Sequence, residues 1–536
     1  MVEKLWFLIP EMTLFIGVVV VAVLGLSPNR SLRDILPFVT CLFLGLAFFL
    51  TPYLYTAERI ESADLLMPRL GQYVKMIVCA VGVMLVMLNV GLIDRSYERA
   101  VEEGRATFDP IRANRGEFYT FFLLSLIGVM LCCNANDLIW LFLALELTSL
   151  PTYVMVAMSR SSRKAQEASV KYFFLGALAA AMFLYGFALL YGATGSIVLT
   201  DIRDALVMER QSNGGELSML PTIGLILSVL GIGFKVAAAP LHFYAADVYE
   251  GAASPVTAFL AFVPKTAGIL ALMLILATAG WSDAGGVIET LPTPVLSTLW
   301  MIAVLTMTLG NIGALLQRSV KRMLAYSSIA HSGYMMIGLI AGPEYNGLHA
   351  VLFYLFAYGI MNTAAFAVLA SFERQGNDIE SLDDLAGLRH RYPGMAAVLA
   401  ISAASLLGFP PLLGFVGKLY LFIAGVQAGQ ILLIVIAGLN SAISAWYYLA
   451  IVKASLMDEP NAQSETVEPR REVWPRIAAV SMTVLIVLAP FFSESLFRGI
   501  DAASGVEVGN VVAEVDPSRE DDALVRRVDA RVRENR

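Results

Sequence analysis

Four ionisable side chains stand deep inside long apolar stretches of this 536-residue chain. Glu146 lies in LFLALELTSLPTYV, Lys235 in GIGFKVAAAPLHFY, Lys265 in AFLAFVPKTAGIL and Lys418 in GFPPLLGFVGKLYLF. A fifth, Lys171 in SVKYFFLGA, is near enough to a helix start to reach for headgroups. An ionisable group at the centre of a membrane helix costs about 2.5–3.5 kcal/mol on insertion scales, so each needs a reason. A carboxylate and an ammonium about 4 Å apart, at an effective dielectric near 20, attract by roughly 4 kcal/mol. Burial without that partner favours the neutral amine. A buried lysine whose charge depends on the nearness of Glu146 is therefore a proton switch, and the chemistry implied is proton transfer.

Prolines mark the same places. Pro240 follows Lys235, Pro264 precedes Lys265, and Pro410 and Pro411 precede Lys418. A proline inside a helix removes one backbone bond and frees a carbonyl, which in a bilayer is tolerated where the freed group lines a wet cavity. Broken helices with a charge at the break are typical of ion-transport sites. Of the four histidines, His331 in SSIAHSGY sits inside an apolar span with serines around it, and an imidazole titrating near about 6.5 suits a proton relay. His242 follows the Lys235 break and is read equally as relay or loop anchor; His349 is not assigned, and His390 falls in a charged loop.

The elements that must hold these groups are membrane helices. Residues of the AVILMFWYC set make up 58% and charged residues 15%, where soluble domains run at roughly 45–50% and 25%. That composition excludes a soluble enzyme, a secreted disulfide scaffold and a disordered regulator. A net charge of −7 argues against a nucleic-acid partner. Cys41, Cys79, Cys132 and Cys133 all sit in apolar runs without the spacing of a zinc or iron–sulfur site, and no Gly-rich phosphate loop occurs. With about 20 apolar residues needed per crossing, the sequence predicts about fourteen spans: 5–27, 34–54, 74–93, 119–135, 137–158, 169–192, 219–239, 256–279, 295–316, 322–341, 347–372, 395–424, 429–452 and 476–497. The first is too long for a cleaved signal peptide.

Arginine and lysine crowd alternate loops, as at Arg160, Arg163 and Lys164, at Arg318, Lys321 and Arg322, and at Arg389 and Arg391. The richer side is expected to face the cytoplasm, and an even number of spans then puts both termini outside. Residues 500–536 read as a polar, poorly ordered tail with a possible docking role.

These segments resemble the antiporter-like subunits of respiratory complex I, the proton-pumping NADH:quinone oxidoreductase, and are most similar to the subunit N branch, the bacterial counterpart of mitochondrial subunit 2. The resemblance rests on LELTSLPTYVMVAMSRSSRKAQEASVKYFFLGALAAAMFLYGFALLYGATGS, GFKVAAAPLHFYAADVYEGAASPVTAFLAFVPKTAG, KRMLAYSSIAHSGYMMIGL and LLGFPPLLGFVGKLYLF. It implies an all-α polytopic membrane protein of fourteen helices with two inverted five-helix repeats and broken helices 7 and 12. The divisions expected are 1–118 (helices 1–3 and a cytoplasmic loop), 119–279 and 280–452 (the repeats), 453–499 (a loop and helix 14) and 500–536 (the tail).

It further implies that Glu146 tunes Lys235, that Lys265 lies on a central polar axis, that His331 stands between half-channels and that Lys418 is near the exit. Lys171 matches a sixth-helix lysine of that family. The chain would be a non-redox subunit of the translocase in a bacterial inner membrane, beside other antiporter-like and small membrane subunits. It would bind no cofactor, while NADH, FMN, iron–sulfur clusters and quinone would belong to partner subunits. Two sibling subunits fit less well: no long lateral amphipathic helix is expected after the last span, and position 418 is a lysine where the other sibling carries glutamate. The rival readings are a subunit of a multi-subunit cation/proton antiporter and a spacer whose charges are static glue between helices.

Overall fold

A computed structural model describes residues 5–493 apart from 57–64, 68–69, 94, 110–111, 161, 282–289, 374–378, 465–466 and 471; the tail 500–536 lies outside the described residues. Ten described helices are long and apolar enough to cross a bilayer. They are α2 (Leu36–Leu54), α3 (Leu70–Asn89), α4 (Arg115–Cys133), α5 (Leu138–Ser159), α6 (Arg163–Thr194), α8 (Ser254–Ala279), α9 (Thr293–Leu315), α11 (Gly347–Ser371), α13 (Ile431–Leu456) and α14 (Trp474–Phe492). The short α1 (Ile9–Gly25), the more polar α10 (Val320–Ala341) and two broken helices complete the expected fourteen. Their halves are α7a (Met219–Gly233), α7b (Tyr244–Gly251), α12a (Pro393–Leu407) and α12b (Leu413–Gln427).

Helix 7 departs from the predicted span 219–239. The chain leaves the helix after Gly233 and resumes at Tyr244, so the crossing extends to Gly251. The non-helical stretch persists because its backbone groups find partners. Tyr244 Oη donates to the Phe234 carbonyl at 2.9 Å, and the Ala239 amide donates to Thr306 Oγ1 at 3.0 Å. A helix outside the crossings, Leu199–Ser212, was not expected; it is too polar to register as a span.

The same local device recurs in the two halves. The residue that opens α5, Asp137, bridges to Val198 beyond α6, and the residue that opens α10, Ser319, bridges to Ser381 beyond α11. Both are N-caps: Asp137 Oδ1 accepts from the Trp140 amide, and Ser319 Oγ accepts from the Arg322 amide. Each cap satisfies a backbone donor that would otherwise be orphaned at a helix start.

All 26 residues of α8 are buried, and α11 is 94% buried over its best apolar window, so these two helices form the centre. The break in helix 7 packs directly on α8. A Cβ at Gly268 would come within 2.7 Å of Val236 and 2.9 Å of the Lys235 side chain, which is why a residue without a side chain stands there.

Candidate functional site

Lys235 sits just past the C-terminal end of α7a, where the partial negative charge of the helix favours a cation. Its Nζ donates to Glu146 Oε1 at 3.0 Å and to Ser149 Oγ at 2.6 Å, both on α5. Ser149 lies one helical turn beyond Glu146, so one face of α5 presents both acceptors. The Lys235 side chain is 2% exposed and that of Glu146 18%.

Lys265, on α8, makes no ion pair among the described residues. Its Nζ donates to the Ser328 carbonyl and to Ser328 Oγ, the latter at 2.8 Å, and lies 4.6 Å from the centre of the Tyr358 ring. Lys235 and Lys265 line one small cavity of about 10 Å³ together with Tyr172, Tyr244 and Tyr249. That is about the room one water molecule needs. Lys265 therefore faces α10 on one side and shares space with Lys235 on the other.

From α10 the polar file continues. Ser327 Oγ and Tyr448 Oη are hydrogen-bonded. His331 Nε2 meets Tyr448 Oη at 2.9 Å, and His331 Nδ1 meets Tyr354 Oη at 2.6 Å. Spacing puts Ser327 and His331 on one face of α10. The ring of Tyr334 is 6.0 Å from that of His331 and lies under the Lys418 ammonium at 5.1 Å. Lys418 Nζ donates to the Leu407 carbonyl at 2.7 Å and to Ser441 Oγ at 3.1 Å. Leu407 ends α12a, and Gly408 after it takes φ +91°, a conformation that suits glycine and lets the Lys418 stem pass.

The chain matches the family described as "NADH:quinone oxidoreductase/Mrp antiporter, TM" over residues 135–444. It is 35% identical over 511 residues to the NADH-quinone oxidoreductase subunit N of Granulibacter bethesdensis, covering 92% of this chain and 98% of that one. To the subunit N of Trichlorobacter lovleyi it is 43% identical over 345 residues, 63% of this chain and 67% of that one. A chain of respiratory complex I from Thermus thermophilus superposes with TM-score 0.70 at 30% identity, over 91% of this chain and 99% of its own length. The chain belongs to the subunit N family of NADH-quinone oxidoreductases. The fold alone is shared with a chain of the Mrp complex from Dietzia sp., at TM-score 0.72 and 21% identity over 94% of this chain and 97% of that one.

As a subunit N chain, it is a multi-pass membrane subunit of a proton-translocating oxidoreductase. Five of the expected residues, Glu146, Lys235, Lys265, His331 and Lys418, lie on the file just described. Two lie off it. Lys171 is 44% exposed and bonds Asp247 and Glu167, each at 2.9 Å. His242 is buried in the helix 7 break against the Phe243 ring at 4.4 Å, and its Nδ1 is buried without a hydrogen-bond partner.

The structure adds charged groups that the reading of the sequence passed over. Glu11 on α1 and Lys75 on α3 form a buried pair at 2.6 Å, with Lys75 Nζ also donating to the Phe7 carbonyl at 2.6 Å. Both lie near the starts of their helices, where a lone charge looks like a span boundary; only opposite signs at similar depth could have revealed the pair. Glu373, just after α11, accepts from Arg160 Nε at 2.8 Å and from the Ser254 amide at 2.7 Å, with Lys321 Nζ 4.0 Å away. It thereby caps the start of α8 and ties it to α5 and α10. Burial alone would raise the Glu373 carboxyl, but Lys321 and Arg160 outweigh it and hold the group down at about 2.

Proposed function

We propose that this subunit carries protons across the bilayer along Glu146, Lys235, Lys265, His331 and Lys418, driven by quinone reduction elsewhere in its complex. A proton taken up from the cytoplasm loads Lys235, passes to Lys265 through the shared water-sized cavity, crosses α10 by the serine–tyrosine–histidine file and leaves through Lys418. Movement of Glu146 relative to Lys235 sets when that lysine releases its proton. The observation that carries this reading is the Lys235–Glu146 pair at 3.0 Å with Lys265 lining the same cavity. An amine held by a carboxylate beside an amine held, among the described residues, by a carbonyl, a hydroxyl and a ring gives a proton a place to be stored and a place to go.

In this reading the chain lies in a bacterial inner membrane with both termini outside, against neighbouring antiporter-like and small membrane subunits. NADH, FMN, iron–sulfur clusters and quinone are held by partner subunits. The two inverted repeats run over 119–279 and 280–452, supported by the matched N-cap bridges at Asp137 and Ser319. Lys171 and His242 act at the margins of the route, Lys171 at its cytoplasmic mouth. The test is NADH-driven proton pumping in inverted vesicles: Lys235→Ala and Glu146→Ala lower the protons moved per electron, and a wild-type ratio in both variants overturns the route.

A further inference from the structure

Half-helix α7b separates two cavities. On one face Tyr244, Val248 and Tyr249 close the inner cavity that Lys235 and Lys265 line. On another face Asp247, Glu250 and Gly251 border an open cavity of about 120 Å³, completed by Lys164, Glu167 and Lys171 of α6. Residues three and four apart on a helix share a face, so eight residues suffice to present one wall to each space.

The charged wall is tied on both sides. Asp247 Oδ2 is 2.9 Å from Lys171 Nζ of α6, and Asp247 Oδ1 is 2.8 Å from Arg322 Nη1 of α10. Glu250 meets the same Arg322 nitrogen at 2.9 Å and lies 3.7 Å from Lys164. Asp247 is 37% exposed and Arg322 26%, and partly hydrated ion pairs of this kind are weak and readily exchanged. On its inner side α7b reaches the proton file itself, because Tyr249 Oη is 3.3 Å from Ser328 Oγ, which Lys265 also bonds. Above it the chain is non-helical from Phe234 to Phe243, so α7b is not braced by a continuous helix.

We propose that α7b is the water gate on the cytoplasmic side of the Lys235–Lys265 cavity, and that Asp247 is the positioning residue that keeps it shut by bridging Lys171 and Arg322. Exchange of those ion pairs lets α7b swing, joins the two cavities by water and breaks the Tyr249–Ser328 contact beside Lys265 in the same movement. Lys171 thus acts through α7b and does not carry the proton itself. The proposal rests on the reading of Lys235 and Lys265 as proton carriers.

The experiment places a cysteine at Val248, on the inner wall, in the complete complex in inverted vesicles, which expose the cytoplasmic side. Reaction with a hydrophilic maleimide is timed alone and with Asp247→Asn or Lys171→Gln, with the chain lacking Val248→Cys as the control for Cys41. Labelling rises about two- to fivefold when the tie is weakened, the factor expected for losing a partly exposed ion pair. Where Asp247→Asn prevents assembly, Lys171→Gln, a change at an exposed side chain, makes the same comparison. Unchanged labelling in the assembled variants overturns the gate. If Lys235→Ala still lowers the protons moved per electron in that case, the proton route stands without it. Normal pumping by Lys235→Ala removes the route whatever the labelling shows.

Discussion

Lys235 lies within the break of helix 7 and Lys418 on α12b, with its ammonium reaching back across the break of helix 12 to the end of α12a, and their charges are balanced in different ways. Lys235 has a carboxylate at 3.0 Å; Lys418 has the Leu407 carbonyl, the Ser441 hydroxyl and the Tyr334 ring. An ion pair at that distance with an effective dielectric near 20 is worth about 5 kcal/mol before desolvation, and the burial of Lys235 and the partial exposure of Glu146 both reduce the net value. A hydrogen bond to a charged group contributes about 1.5–3 kcal/mol, and a cation over an aromatic face about 0.5–2 kcal/mol. The first balance rests on a single carboxylate side chain; the second is shared among a backbone carbonyl, a hydroxyl and an aromatic ring. A break in the helix supplies the place for an amine, while the neighbouring helices decide which groups balance its charge.

The sharpest way to break the contrast is to replace each lysine by methionine. Lys418→Met removes a charge that no carboxylate balances among the described residues, so assembly is retained while pumping per electron falls. Lys235→Met also stops the route but strands Glu146, so less complex assembles; adding Glu146→Gln restores assembly and not pumping. Quantified complex in native gels together with proton-to-electron ratios reads both effects. If assembly falls equally for the two lysines, and pumping per assembled complex is normal, the charges are static glue and the contrast has no functional content.

A smaller effect is expected from the counter-groups. Glu146→Gln removes the carboxylate that holds Lys235, and Ser441→Ala weakens the hold on Lys418 by about 1.5–3 kcal/mol. A double-mutant cycle on pumping rate should therefore find coupling between Glu146 and Lys235 and none between Glu146 and Lys418. Between the two lysines, Tyr448→Phe removes the hydroxyl that joins Ser327 to His331 and slows pumping less than loss of His331 does, as His331→Asn measured alongside will check.

The least effect on pumping, and a clear one on stability, belongs to Glu373. Its carboxyl is held near 2, below the ordinary carboxylate value of about 4.3, so its contribution is complete above the ordinary value and is lost as pH falls toward 2. Glu373→Gln removes the carboxylate that Arg160 and Lys321 both face, a loss of about 3–5 kcal/mol as for broken buried pairs. Thermal midpoints of the detergent-solubilised complex should differ between the two forms at neutral pH and converge on acidification. A constant gap at every pH would mean that Glu373 stabilises α8 by shape and not by charge.

Much of this was legible along the chain. Glu146, Lys235, Lys265 and Lys418 stand out because a bilayer tolerates few ionisable groups, and each was recognisable from its apolar surroundings alone. The fourteen crossings follow from the same hydropathy, with ends displaced by a few residues except at helix 7, whose crossing runs on to Gly251. Glu11 and Lys75 escaped notice because a charge near a helix start has an ordinary explanation, and only their contact at 2.6 Å removes it. Asp247, Glu250 and Arg322 escaped for another reason: they occur in polar-rich segments where charges are expected, and their meaning comes from two helices remote in sequence closing on α7b.

The chain by itself determined that this is a membrane protein, where its helices cross and which buried charges require an explanation, because transfer of each residue from water to lipid is a local property. Which charge pairs with which was decided only by the tertiary structure. Lys235 lies 89 positions from Glu146 and Lys265 lies 63 from Ser328, and the attraction between such groups falls off over a few ångströms. No pattern along a helix can supply that distance; the packing of α5, α8 and α10 around the broken seventh helix does.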